Sequence, residues 1–330
     1  MPKEVAHWVI ARRVMDRLPP GSLADAVRDH PNCLDLGAVF HDVGYYGQGR
    51  EAGNLEALAD RLHGAAGEDT NEILRRLAPD PAESAAKPWL AAFLVGLVTH
   101  MVADRKLHPL VYYFTGNYYE EDTRKQQLAA TAHRRLEALM DLRLTGGLQG
   151  VRRFSLRRIA RELEVPLDDL LEEVAGRLSS RESPVSSPGL VQAVGFFSKI
   201  QWLACRPWLV KILGQPLRLR PADRSNLYSL TYFSHLESAT KRLASTLDYL
   251  NPYSGEPCQQ TLEGAVEAIV DSSVAFCSDL PTALSAMGPG ESLEMGLPSV
   301  VTAHARHFHP LVLAQEYREI DDFAMLPLPE

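Results

Sequence analysis

The chain has 330 residues, 45% of them hydrophobic and 23% charged, with a formal net charge of −8. That length can bury a large core as one big domain or two smaller ones, and the acidic balance argues against a nucleic-acid surface while leaving room for a small, locally positive pocket. Four scattered cysteines, Cys33, Cys205, Cys258 and Cys277, form no CxxC pair, so the sequence signals neither a thiolate zinc site nor a disulfide framework and fits a reducing, cytoplasmic setting.

The opening "MPKEVAHWVIARRVMDRLPP" mixes charges through its first turns and has no uninterrupted apolar stretch, so no signal peptide is expected. Val5, Ile10 and Val14 recur at helical spacing, as do Leu55, Leu58 and Leu62, then Ile73, Leu74 and Leu77. The run from Trp89 to Ala103 falls short of the roughly 20 apolar residues of a membrane span and already contains His100, which predicts a core helix and no transmembrane segment. Leu128, Leu136 and Leu139 predict the apolar face of the next helix. "RRFSLRRIARELEVPLDDLLEEVAGRL" reads as two helices around Val165-Pro166. Arg152, Arg153, Arg157, Arg158 and Arg161 are followed closely by Glu162, Glu164, Asp168 and Asp169, so solvated helices are expected rather than a DNA-binding face. "SSRESPVSSPG", residues 179–189, is the clearest linker. Beyond it "LESATKRLASTLDYLNPYSG" and "TLEGAVEAIVDSSVAFCSDL" return to helical patterning, the first ending at Asn251-Pro252. No stretch alternates like a strand, so the predicted fold class is all-α.

The polar residues inside the apolar run are the informative ones. His100 and Asp104 stand four apart and share a helix face, from which both can point at one ion. His108 continues the spacing, but Pro109 disfavours helical geometry in the residue before it, so the helix is expected to end there with His108 swung out near Asp104. His133 and Glu137 repeat the four-residue spacing on the following helix, and imidazole with carboxylate suits zinc. His7, Asp42 and His63 precede them. Each alone has an ordinary structural reading as a helix histidine, a cap and a helix-end residue; their order together is what carries weight.

That order, with "LGAVFHDVGYY", "FLVGLVTHMVADRKLHPLVYY" and "AHRRLEALMD" as its flanks, resembles the zinc-dependent phospholipase C family, which includes bacterial phospholipases C and the catalytic half of clostridial alpha-toxin. The three stretches look like the family's LGxxGPDxxxY, GFxxHxxxDxxxHPY and HxxxExxxD segments. The likeness covers residues 5–143, and more faintly "LDYLNPYSGEPCQQTLEGAVEA". It implies a multi-helix phospholipase C/nuclease-like fold with a multinuclear zinc site between helices. By the same resemblance Asp42, His63, His100 and Asp104 surround one Zn2+ ion, and His108, His133 and Glu137 another. A third ion in secreted relatives uses the equivalent of His7, a share of Asp104 and an N-terminal Trp. Here Trp8 follows the histidine, so two or three ions are expected. Phe40-His41 replaces the family's Gly-Pro, leaving His41 as an extra ligand, a partner of a ligand, or a packed imidazole.

The implied activity is phosphoric ester hydrolysis. Three Zn2+ with five histidines and three carboxylates leave a cluster of about plus 3 that attracts phosphate, and a metal-bound hydroxide attacks a phosphodiester with Asp42 as general base. Tyr45, Tyr46, Tyr112 and Tyr113 are candidates for the pocket mouth, half of them as core, and the substrate expected is a small phosphodiester or a phospholipid head group, with no nucleic acid. The alternatives are a metal phosphohydrolase of the HD-domain type using His41-Asp42 with His7 and Asp104, a single-strand nuclease of the same helical fold, and a non-catalytic metal-stabilised helical scaffold. Residues 1–145 are read as the metal-binding core, 146–190 as a helical insertion with its linker, and 191–330 as further helices on the same core. His304, His307 and His309 are read as a surface or core-capping stretch. Nothing in the sequence sets the oligomeric state.

Overall fold

A computed structural model describes residues 4–64, 68–78, 86–117, 121–180, 183–206, 208–209, 212, 229–232 and 240–278. The cluster of His304, His307 and His309 lies outside the described residues. The helices in chain order are α1 (Glu4–Arg17), α2 (Ser22–Asp29), α3 (Pro31–Gly37), α4 (Phe40–Val43), α5 (Ala52–Leu62) and α6 (Glu72–Leu77). They are followed by α7 (Pro88–Thr115), α8 (Thr123–Thr145), α9 (Leu148–Val151), α10 (Leu156–Arg161), α11 (Leu167–Leu178), α12 (Ser187–Ala204) and α13 (Leu262–Ser278). The fold is all-α apart from one short hairpin among the described residues. No helix of the described residues is long and apolar enough to cross a membrane.

Local chemistry places the helix ends. Asp122 caps α8 by accepting from the backbone N–H groups of Arg124 and Lys125, and Gly146, at φ 73°, closes that helix in the left-handed region. Ser155 and Ser186 cap α10 and α12 in the same way. Prolines at the first turns of α3, α7 and α12 stand where no intrahelical N–H is needed.

The centre of the molecule is α7, buried over most of its length and packed against α1, α2, α3, α8 and α13. Its closest neighbour is α3, and two glycines set that approach. A Cβ on Gly37 would lie 2.1 Å from the Phe93 carbonyl oxygen, and one on Gly96 would lie 2.2 Å from that of Leu34. Only glycine admits such backbone contact, and Gly96 stands one turn before His100. Helix α13 packs on α1 and α7, with Arg13 and Arg17 of α1 paired to Glu263, Glu267 and Asp271. These exposed pairs orient the two helices more than they stabilise them.

Four expectations are corrected. The long helix does not end at His108: α7 runs through Pro109 to Thr115. An interior proline costs about 3 kcal/mol. The neighbouring Leu107, Leu110, Val111 and Phe114 are all buried, at roughly 1.5–3 kcal/mol for each such side chain, so packing outweighs the break. Leu128 is 55% exposed and does not share the apolar face of Leu136 and Leu139. Residues 240–250, the described part of the stretch before Asn251, do not form an amphipathic helix. They form a 3-10 turn at Thr240–Ala244 and a strand, β1 (Leu247–Leu250), antiparallel to β2 (Pro257–Gln260). Leu247 and Tyr249 point inward and Asp248 outward, an alternation too short to stand out from the helical spacing around it. Finally, the Ser/Pro-rich stretch is shorter than its composition suggests, because Ser186 caps α12 and Val185 is buried. The two helices around Val165-Pro166 form as expected, with Pro166 as the residue before α11.

Candidate metal centre

Five elements deliver the polar side chains that the sequence singled out. His7 comes from the first turns of α1, Asp42 from α4 and His63 from the residue that ends α5. His100, Asp104 and His108 stand on successive turns of α7, and His133 and Glu137 lie one turn apart on α8. All eight are buried, as is His41. Because α7 stays helical through Pro109, His108 remains on the same face as Asp104.

Asp104 is the hub. Its Oδ1 lies 3.5 Å from His7 Nε2 and 3.6 Å from His108 Nε2, and its Oδ2 lies 3.2 Å from His100 Nε2 and 3.7 Å from His63 Nε2. Asp42 Oδ1 is 3.4 Å from His63 Nε2. On the neighbouring side His133 Nε2 meets Glu137 Oε1 at 2.9 Å, and the His108 and His133 rings are 5.5 Å apart. Potential ligand atoms fall within 4.8 Å of one another in three groups: His7, Asp42 and His100; His63, His100 and Asp104; and His108, His133 and Glu137. All eight predicted residues therefore converge. His7 lies beside Asp42 and His100 as well as Asp104.

Backbone carbonyls orient two of the imidazoles. His63 Nδ1 is 2.7 Å from the Ala59 oxygen and His100 Nδ1 is 2.9 Å from the Ala38 oxygen. A carbonyl only accepts, so both Nδ1 atoms carry the proton. Both Nε2 atoms are turned towards the carboxylates, the arrangement that second-sphere hydrogen bonds give to metal-binding histidines.

Burial and neighbouring charge set the protonation states. Burial, with the nearby charge of His100, brings the His7 pKa down to about 4. Burial works against charge on His100 as well, but Asp104 and Asp42 outweigh it and carry that pKa up to about 9. Burial likewise opposes the charge of Asp104, yet His100 and His108 hold its carboxyl well below the usual carboxylate range.

His41 is the residue whose role the sequence left open. Its ring stacks on that of His100, with centroids 4.5 Å apart and planes 2° from parallel, and meets His63 edge-on at 5.8 Å. It stands outside all three groups of potential ligands, and burial followed by the charges of His100 and His63 holds its pKa well below the ordinary value. Of the four tyrosines, Tyr46 is core, stacked on Phe197 at 4.0 Å, and Tyr45 Oη donates to Asp60. Tyr112 packs against His108 and His133, and Tyr113 leans on Tyr249.

One further residue of the stretch "AHRRLEALMD" supports the centre without being among its eight candidate ligands. Asp141, fully buried on α8 one turn past Glu137, accepts from the Ala6 backbone N–H at 2.7 Å and from Tyr232 Oη at 2.5 Å. It thereby ties the start of α1, and with it His7, to the helix that carries His133 and Glu137. Its spacing of four from Glu137 and eight from His133 was the available signal.

Neither the curated proteins nor the solved structures compared with this chain gave a match. The family described as zinc dependent phospholipase C matches residues 6–175, which span every one of the eight converging side chains. The chain belongs to the zinc-dependent phospholipase C family.

Proposed function

We propose that this protein is a zinc-dependent phosphoric ester hydrolase that cleaves a small phosphodiester or a phospholipid head group. In this reading His7, Asp42, His63, His100, Asp104, His108, His133 and Glu137 hold two or three Zn2+ ions in a cytoplasmic enzyme. Residues 1–145 form the metal-binding core, to which 146–190 and 191–330 are additions.

The observation that carries the proposal is the state of Asp42. Both of its carboxylate oxygens are buried with no hydrogen-bond partner, beside His7, His63 and His100. A buried carboxylate left so is expensive, and a cation is the partner that removes the cost. Glu137 Oε2 and His7 Nδ1 are buried and unpartnered in the same region. Imidazole nitrogens and carboxylate oxygens are the donors zinc takes, so the residues present fit the ion the family requires.

Zinc, when bound, supplies a nucleophile at neutral pH and positive charge for the phosphoryl oxygens. The chain supplies the rest. Asp104, among four imidazoles, joins the two donor clusters. Asp42 holds its position on α4 as general base, taking a proton at a carboxylate oxygen. The Ala38 and Ala59 carbonyls keep the His100 and His63 rings turned inward.

The test is turnover of a p-nitrophenyl phosphodiester by purified protein. A chelator should abolish it and added zinc restore it. Asp42→Asn should lower the rate by roughly 10²–10⁴-fold, the range for loss of a general base. Full zinc content and an undiminished rate in that variant would show the assignment of Asp42 to be wrong. Zinc bound at full occupancy with no turnover of any phosphodiester would favour the scaffold reading. The HD-domain reading places a metal on His41, and His41→Asn distinguishes it: zinc content falls under that reading and holds under ours.

A further inference from the structure

A cavity of about 380 Å³ opens between α1, the end of α8 and the start of α10, and none of the eight converging residues lines it. Its volume lies in the range of small-molecule sites, roughly 300–1,000 Å³. One wall is apolar, formed by Val9, Leu144, Phe154 and Ile159; the other carries Arg12, Arg153 and Arg158.

The charges around it do not cancel. Asp35, the carboxylate in the lining, is committed to Arg12, with Nε to Oδ1 at 2.9 Å and Nη2 to Oδ2 at 2.5 Å. Glu164 nearby is also occupied. Its oxygens accept from the backbone N–H groups of Asn32 and Cys33 and from Asn32 Nδ2, at the start of α3. Arg158 spends one donor on the Arg153 carbonyl, and among the described residues no carboxylate pairs with Arg153 or Arg158. Arg153 and Arg158 thus line one cavity with no ion-pair partner among the described residues; Glu164 keeps its charge nearby and Arg158 also acts on Asp35, so the local balance is positive but small. Guanidinium is the side chain that recognises phosphate by paired N–H donors, and the hydrocarbon wall favours a ligand with an apolar body.

We infer that this cavity is a binding site for a small organic phosphate, held by Arg153 and Arg158 with its apolar part against Val9, Leu144, Phe154 and Ile159. The site is separate from the metal centre, although α1 and α8 build both. Inorganic phosphate shares the oxyanion but lacks the body, and benzoate shares the body with a smaller charge.

The experiment is calorimetric titration of phenyl phosphate into zinc-loaded full-length protein, wild type against Arg153→Gln/Arg158→Gln. Both residues are exposed and Arg12 is left in place to keep its pair with Asp35, so zinc content and thermal midpoint serve as checks of the fold. The wild type should show a binding event that the double variant weakens by at least about tenfold, as loss of charge-assisted hydrogen bonds predicts. Inorganic phosphate and benzoate should each bind that site more weakly than phenyl phosphate. Identical isotherms for the two proteins, or binding that a chelator removes entirely from both, would overturn the inference, because the phosphate would then have no home but the metal centre. Should the double variant prove unstable, Arg158→Lys, which keeps the charge but not the paired donors, is expected to weaken binding several-fold, and unchanged affinity there would count equally against it.

Discussion

The imidazole of His7, from α1, stacks on that of His100, from α7, with ring centroids 4.1 Å apart and planes 15° from parallel. Two helices distant in sequence are thus joined ring to ring at the point where their nitrogens face Asp42 and Asp104. His7→Ala removes a donor and the stack together. Zinc content is expected to fall below that of the wild type and phosphodiester turnover to drop on the order of 100-fold, at the upper end of what loss of a metal-supporting group does. Metal analysis beside steady-state rates checks this; full zinc occupancy with a normal rate would exclude His7 from the centre.

Gly96 tests whether the α3–α7 contact positions the site. A methyl group there meets the Leu34 carbonyl at 2.2 Å, and the backbone of both helices blocks relief by side-chain movement. Gly96→Ala should destabilise the protein by about 3 kcal/mol, the upper end of overpacking costs, seen as a lower denaturation midpoint in urea. Separating α3 from α7 also moves Ala38 from His100, so the zinc affinity of whatever folds should fall. Gly53, which has open space where a Cβ would go, is the control: Gly53→Ala should be neutral or slightly stabilising.

Asp141 holds two donors in a fully buried place, so its replacements should differ in kind. Asp141→Ala leaves the Ala6 N–H and the Tyr232 hydroxyl without it, at about 1–3 kcal/mol for each. Asp141→Asn keeps one acceptor and should cost roughly half as much. Zinc affinity should decline in the same order, since α1 carries His7 one residue beyond Ala6. Equal stability of the two variants would show that the carboxylate does no such tethering.

The His100–Asp104 pair gives zinc binding a pH dependence. Without metal the His100 pKa is raised above its ordinary 6.5 to about 9. The stability this contributes to the metal-free protein is fully present below about pH 6.5 and is lost as pH rises through about 9. Zinc takes the neutral imidazole, so loading at pH 7.5 should expel the His100 proton, and affinity should climb with pH across the same window. His7, at about 4, is already neutral there and should release none. Calorimetry in buffers of different protonation enthalpy measures the proton count; zinc uptake without proton release would contradict the pairing.

Much of this centre is legible in the sequence, and the reason lies in helical periodicity. His100, Asp104 and His108 advertise one face through their spacing of four, as do His133 and Glu137, because residues so spaced neighbour each other on any α-helix. His7, Asp42 and His63 carry no such spacing, and only the order of the motifs linked them to the rest. What escaped was set by tertiary contact. The α7 helix survives Pro109 because its surroundings bury it, which no local rule reports. The β1–β2 hairpin is only four residues on each side, below the length at which alternation stands out. The cavity beside α10 depends on Arg153 and Arg158 having no carboxylate partner among the described residues while Asp35 and Glu164 are engaged elsewhere, and no spacing in the sequence reports which charges pair.

The central claim is that eight side chains from five elements share zinc. Anomalous diffraction at the zinc edge from crystals of zinc-loaded protein tests it directly. Peaks are predicted among His7, Asp42, His63, His100 and Asp104 and between His108, His133 and Glu137, with none bonded to His41. Zinc density absent from both places, or coordinated through His41 instead, would contradict the proposed centre and the hydrolase built on it.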